Sequence, residues 1–149
     1  PNAVAIASST GGPTALETIF SGIQGPFKRP LLIVQHMPPV FTQILAKRLA
    51  AITGSEFLEA KDGDPVVAGK SYVAPGDHHM LVKVKEGSPI ISLNRDPLRN
   101  SVRPAADFLF ESASEHYKAS LLGVVLTGMG EDGAVGSGKL RERGGRVLI

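Results

Sequence analysis

The chain has 149 residues, enough for one domain that can bury a sizeable core unaided. It has no cysteine, which excludes disulfide frameworks, thiolate catalysis and Cys-type zinc sites and suits a reducing, cytoplasmic setting. Sixteen Lys and Arg against fourteen Asp and Glu give a net charge of only +2 without basic runs, so no nucleic-acid partner is expected; no apolar stretch approaches the roughly 20 residues of a membrane span, so no membrane insertion is expected either.

In chain order, the apolar run Val4 to Ala7 is broken by Ser8-Ser9-Thr10-Gly11-Gly12-Pro13, and Thr14 to Ile19 suits a helix with Pro13 in its first turn. Leu31 to Val34 predicts a second strand, ended by Gln35-His36-Met37-Pro38-Pro39. The next helix places Phe41, Ile44, Leu45, Arg48 and Leu49 on one face. Strand, loop and helix thus occur twice, the βαβ signature of a parallel sheet. The short β-like runs Phe57-Leu58, Ser71 to Ala74, Met80 to Val84 and Ile90 to Leu93 are separated by turns at Asp62-Gly63-Asp64, Pro75-Gly76-Asp77 and Glu86-Gly87-Ser88-Pro89, and read together as an inserted hairpin region. Pro104 opens a helix with Phe108, Leu109, Ser112 and Ala113 inward. Leu121 to Leu126 reads as a buried strand, Thr127 to Gly133 as its loop, and a short helix to about Arg143 and a strand from Arg146 to Ile149 finish the chain. The fold class is therefore α/β: three layers around a mainly parallel, doubly wound sheet, with the hairpin region inserted. Residues 1–149 form one domain. The start just before one strand and the end within another are read as those of a fragment lacking its C-terminal portion.

Ligands of open α/β sheets bind beyond the carboxyl ends of the strands. Three loops leave such ends here, carrying Ser8, Ser9 and Thr10, then His36, then Asp132. A serine needs a base to become a nucleophile at neutral pH, and a histidine needs a carboxylate to fix its tautomer. Each residue alone has a structural explanation: a turn and helix cap for Ser-Thr-Gly-Gly, a hydrogen-bonded core histidine, a helix N-cap for Asp132. Their meeting at one edge argues for chemistry. The G-x-S-x-G elbow of α/β-hydrolases is absent. His78 and His79 are adjacent on an extended segment and point to opposite faces, so a shared metal is not expected. Arg99 and Arg103 precede a helix and are candidates for recognising acidic groups, against a plain reading as solvated loop residues.

The motifs Ala7-Ser8-Ser9-Thr10-Gly11-Gly12-Pro13, Gln35-His36-Met37-Pro38-Pro39, Tyr72-Val73-Ala74-Pro75-Gly76-Asp77-x-His79-Met80, Arg103-Pro104-Ala105-x-Asp107-x-Leu109-Phe110 and Leu126-Thr127-Gly128-Met129-Gly130-x-Asp132-Gly133 occur in this order across nearly the whole chain. Together they resemble the chemotaxis receptor methylesterases of the CheB type. The resemblance implies a cytoplasmic hydrolase of signal transduction, in a two-component system, that cleaves glutamate γ-methyl esters on the cytoplasmic helices of chemoreceptors and can deamidate particular receptor glutamines. It places the family's serine on Ser9, its histidine on His36 and its aspartate on Asp132. Thr10, Gly11 and Met129 fall at the oxyanion or lining positions. No cofactor or metal is implied. Family members commonly carry Gly-Ala before the serine where this chain has Ala7-Ser8, run on beyond the equivalent of Ile149, and are preceded by a receiver domain.

Two other functions compete. A Gly-rich turn opening a helix is an anion site by construction, so a non-catalytic phosphate- or nucleotide-binding module is the alternative. It lacks both G-K-[ST] and G-x-G-x-x-G and leaves His36 and Asp132 without a role. An interaction module that has lost its chemistry is disfavoured by the complete residue set. Between the two serines, Ser9 is expected to be the nucleophile and Ser8 to bond locally as the chain leaves the sheet.

Overall fold

The computed structural model describes residues 1–126 and 130–149. The strands are β1 (Ala3–Ser8), β2 (Leu31–Gln35), β3 (Glu56–Glu59), β4 (Lys70–Val73), β5 (His79–Lys85), β6 (Ser88–Asn94), β7 (Leu121–Val125) and β8 (Arg146–Leu148). The helices are α1 (Gly12–Ser21), α2 (Phe41–Thr53), α3 (Ala106–Tyr117) and α4 (Ala134–Glu142). Among the described residues, six strands form one sheet in the order β3-β4-β2-β1-β7-β8, and every pairing in it is parallel. β5 and β6 form a separate antiparallel hairpin.

The chain steps from β1 to β2 in one direction and from β7 to β8 in the other. Right-handed crossovers then place the connecting helices on opposite faces. Strand parity divides the side chains accordingly. On one face Ile6, Leu31 and Ile33 pack with Leu16 and Phe20 of α1 and Leu45, Ala46 and Leu49 of α2. On the other, Ala3, Ala5, Ala7, Leu32 and Val34 pack with Leu109, Phe110 and Ala113 of α3, Leu140 of α4 and Met80, Val82 and Ile91 of the hairpin. The molecule is thus a three-layer α/β domain.

Three expectations need correction. Phe57-Leu58 and Ser71 to Ala74 do not belong to the hairpin region: β3 and β4 extend the parallel sheet. The segment joining them carries no helix. It crosses by pairing with β6 instead, with Gly63 N–H donating to Ile91 O at 2.8 Å, Ile91 N–H to Asp64 O at 2.8 Å and Val66 N–H to Pro89 O at 3.0 Å. The buried face of α2 is Thr42, Leu45, Ala46, Leu49 and Thr53, while Phe41, Ile44 and Arg48 are exposed. Thr42 is inward because its hydroxyl donates to Glu59 Oε2 (2.6 Å) and accepts the Gly76 N–H (3.0 Å). In α3, Leu109 and Ala113 are buried as expected, but Phe110 and Ser114 share that face, and Phe108 and Ser112 are only half-buried.

Candidate active site

Because the sheet is parallel, β1, β2, β4 and β7 all deliver their carboxyl ends to one edge. Register then decides which side chains meet there. Ser8 pairs with Gln35, and His36 N–H donates to Ser8 O at 3.0 Å. Partners in a parallel register point to the same face. Ser8 and Gln35 continue the face of Ile6 and Ile33, toward α1. There the buried Ser8 hydroxyl donates to Gln35 Oε1 at 2.5 Å, and Gln35 Nε2 donates to Ser9 O at 2.9 Å. Gly12 makes this possible: a Cβ there would lie 1.9 Å from Gln35 Oε1.

One residue further, parity reverses. Ser9 and His36 continue the face of Ala7 and Val34, toward α3, on strands that lie about 4.8 Å apart. Ser9 is half-buried, and its hydroxyl donates to no described residue. His36 Nε2 lies 2.7 Å from Asp132 Oδ2, and the His36 side chain is only 11% exposed. With Nε2 directed at the carboxylate, that nitrogen carries the proton, and Nδ1 is the ring nitrogen left to act as a base.

Asp132 lies just before α4, yet it caps α3. Its Oδ2 accepts Ala106 N–H at 2.7 Å and its Oδ1 accepts Asp107 N–H at 3.1 Å. Asn100 Nδ2 donates to Oδ1 as well, at 2.9 Å. Burial by itself raises the Asp132 pKa, but the hydrogen bonds from His36, Ala106, Asp107 and Asn100 together bring it below the ordinary carboxylate value. Asp132 is therefore a fixed anion. Asp107 returns the arrangement: its Oδ1 accepts the N–H groups of Gly133 (3.1 Å) and Gly136 (2.6 Å) at the start of α4, and its Oδ2 accepts Asn100 Nδ2 at 2.8 Å. Gln35 and Asp107 stand in the sequence motifs without a role, and Asn100 stands in none of them. Asp107 in a first helical turn was the available signal for capping, and Asn100 next to Ser101 was one for a turn.

Beside His36 lies an open cleft of about 340 Å³ lined by Met37, Pro38, Pro39, Asp77, Val102, Arg103 and Pro104. The loops forming it approach closely: a Cβ on Gly76 would sit 2.3 Å from Pro39 N and 2.4 Å from the Pro38 carbonyl carbon. A larger surface groove of about 590 Å³, between β5 and the end of α3, contains none of these groups. Arg103 borders the cleft, but its guanidinium grips Asp77 Oδ1 through Nε (2.9 Å) and Nη2 (2.6 Å). The Arg103 hydrogen bond, opposed by desolvation and aided by Arg95, lowers the Asp77 pKa. Arg99 stands away from the cleft, bonded through both terminal nitrogens to Glu111 (2.8 and 2.6 Å) and stacked 4.8 Å over the Phe108 ring. Both arginines are engaged by carboxylates of the chain itself. His79 is buried, with Nε2 donating to Pro97 O (3.0 Å) and Nδ1 accepting Ala105 N–H (3.1 Å), and burial lowers its pKa. Thr10 and Gly11 occupy the turn between Ser9 and α1, with Gly11 at φ 77°. Met129 lies outside the described residues.

The family model of the CheB methylesterases matches residues 4–149. A protein-glutamate methylesterase/protein-glutamine glutaminase of Pyrococcus abyssi is 49% identical over 146 residues, 98% of this chain and 40% of the relative. One of Caulobacter vibrioides is 49% identical over 147 residues, 98% of this chain and 42% of the relative. The chain thus spans about two fifths of the length of these relatives. The crystal structure of the Thermotoga maritima CheB methylesterase catalytic domain superposes with a TM-score of 0.94 at 43% identity, covering 98% of this chain and 77% of that one. With its fold, its motifs and nearly its whole length accounted for, the chain belongs to the CheB methylesterase family.

Proposed function

We propose that the protein hydrolyses glutamate γ-methyl esters on the cytoplasmic helices of chemoreceptors, and that it does so with Ser9, His36 and Asp132. Relatives 49% identical over 98% of this chain carry the paired name methylesterase/glutaminase, so receptor glutamine amides are the second substrate of this reading. Its setting is cytoplasmic, within a two-component pathway where a receiver domain regulates the full-length protein.

Ser9 Oγ attacks the ester carbonyl while His36 Nδ1 takes its proton. Asp132, opposite Nε2, stabilises the imidazolium that forms. Backbone N–H groups in the turn at Thr10 and Gly11, near the positive end of α1, stabilise the oxyanion. The imidazolium returns its proton to the departing methoxide, which leaves as methanol. Water, activated by the same nitrogen, then releases glutamate from the acyl-enzyme. For a glutamine the leaving group is ammonia. The cleft between Met37, Pro38, Pro39 and Val102 is where the methylated side chain enters.

The observation that carries the proposal is the 2.7 Å contact of His36 Nε2 with a fixed Asp132, on the face and at the edge where Ser9 emerges. A phosphate-binding module would not need this pair, and Gln35 packs under the Gly-rich turn. Methanol release from receptor membranes carrying methyl esters tests it. Asp132→Asn should leave the fold intact and reduce turnover by on the order of 10⁴, because the wrong histidine tautomer is then favoured. An unchanged rate rejects the role given to Asp132, and no methanol from the unaltered protein rejects the reading.

A further inference from the structure

Asp107 and Asp132 are two carboxylates with almost no exposure, 0% and 3%, that meet between the first turns of α3 and α4. Like charges brought together out of water oppose each other's ionisation. Four backbone N–H groups offset part of that cost, two on each carboxylate. The side chain that touches both is Asn100, whose Nδ2 lies 2.8 Å from Asp107 Oδ2 and 2.9 Å from Asp132 Oδ1. One primary amide nitrogen carries two hydrogens, so it can serve both acceptors at once without adding charge.

The backbone is shaped to deliver it. Arg99 and Val102 exchange reciprocal N–H···O bonds, each 3.1 Å, around Asn100 and Ser101. Both central residues are left-handed, at φ 54° and 64°. This is the geometry of a type I′ turn, in which asparagine is well suited to the first central place and serine is strained at the second. A left-handed pair without glycine, whose asparagine side chain bridges two buried acids, is strain placed where geometry matters.

We infer that Asn100 is a positioning residue for the reaction: its amide holds the Asp132 carboxylate in place toward His36 and separates it from Asp107. The inference rests on the esterase reading above. Without Asn100, Asp132 keeps its helix caps but loses a donor and faces the charge of Asp107 with no amide between them. Its carboxylate becomes more basic and holds a proton on the His36–Asp132 pair more tightly. Across the 2.7 Å contact, a more basic Asp132 favours the protonated, inactive form of the pair, so the acid limb of activity moves to higher pH. The charged or titratable groups around Asp132 are His36 after β2, Asp107 in α3, His79 in β5 and Arg99 in the turn, and Asn100→Ala leaves all of them in the chain.

The test is the pH profile of kcat/KM for methanol release from a methyl-esterified receptor cytoplasmic fragment. Asn100→Ala should move the acid limb upward by roughly one to two units, the worth of one hydrogen bond to a charged group. Asn100→Ser, with a single hydrogen to donate, should fall between, and it decides the question if Asn100→Ala does not fold. Asp107→Asn added to Asn100→Ala removes the opposing charge but keeps an acceptor for α4, and should bring the limb back toward its original position. A merely structural asparagine would lower thermal stability and leave the limb in place, and that result overturns the inference. If the unaltered protein releases methanol and Ser9→Ala does not, the esterase reading stands whatever Asn100 does; if neither or both release it, that reading fails first.

Discussion

The two serines at the end of β1 are neighbours in sequence and opposites in environment. Ser8 lies on the α1 face, fully buried and bonded to Gln35. Ser9 comes next along the chain, half-buried, its carbonyl bonded to Gln35 but its hydroxyl donating to no described residue, at the edge that also carries the network of His36, Asp132, Asn100 and Asp107. The difference extends through the sheet. The α1 face is hydrocarbon, with the rings of Phe20, Phe27 and Phe57 in mutual contact at 5.3–5.9 Å. The α3 face ends in fixed charge at its carboxyl edge. Alternation along a strand is what separates the hydroxyl held within the fold from the one proposed as the nucleophile.

The sharpest break of this comparison is to remove each hydroxyl in turn. Ser9→Ala should lower methanol release by at least about 10⁴-fold with no loss of thermal stability. Ser8→Ala should keep most of the activity and lose about 1–2 kcal/mol of stability, since Gln35 Oε1 is left buried without its donor. An inactive Ser8→Ala beside an active Ser9→Ala would reverse the assignment of the two faces.

A smaller effect separates the faces by pH. In the folded state burial raises the Asp132 pKa, but its hydrogen bonds outweigh this and hold it below the ordinary carboxylate value. A depressed carboxylate contributes stability that is fully present above its unfolded pKa and is lost as pH falls through the folded value. Thermal melts of the protein and of Asp132→Asn should therefore differ most above about pH 4 and converge below it. A gap that persists unchanged at pH 2 would show that charge on Asp132 is not what stabilises this edge.

The smallest expected effect lies at the loop that carries His36. Val40 sits at φ 73°, ψ −48° and is 66% exposed, a strained backbone for a β-branched residue. Val40→Gly should raise stability by about 1 kcal/mol, because relief of strain exceeds the added freedom of the unfolded chain. A lower melting temperature would mean that the valine makes a compensating contact.

Much of this was legible in the residues. The two opening βα units, the strand from Leu121 and the polar loops after each strand follow from periodicity and turn chemistry, although β7 is only partly buried, and the loops and motifs brought Ser9, His36 and Asp132 forward as candidates. The parallel pairing of β3 with β4 was not, because parallel neighbours normally announce themselves through an intervening helix. Here segment 60–69 crosses by bonding to the hairpin, and nothing in its local composition says so. The inward face of α2 was misread because Phe41 and Ile44 are apolar yet exposed, while Thr42 is inward to bond Glu59 and Gly76. The roles of Asn100 and Asp107 were hidden for a related reason: their partners lie on other elements, and a polar residue before or within a helix has many ordinary uses.

The exchange of caps between α3 and α4 has a consequence for how the edge opens. Asp132, at the start of one helix, satisfies the amides of the other, and Asp107 reciprocates. Neither helix can fray at its N-terminus without uncapping its neighbour. The amides of Ala106, Asp107, Gly133 and Gly136 should then exchange with solvent as one cooperative unit. The carboxylate facing His36 is in position only while that unit is closed, so the proposed chemistry is tied to the integrity of the helix pair.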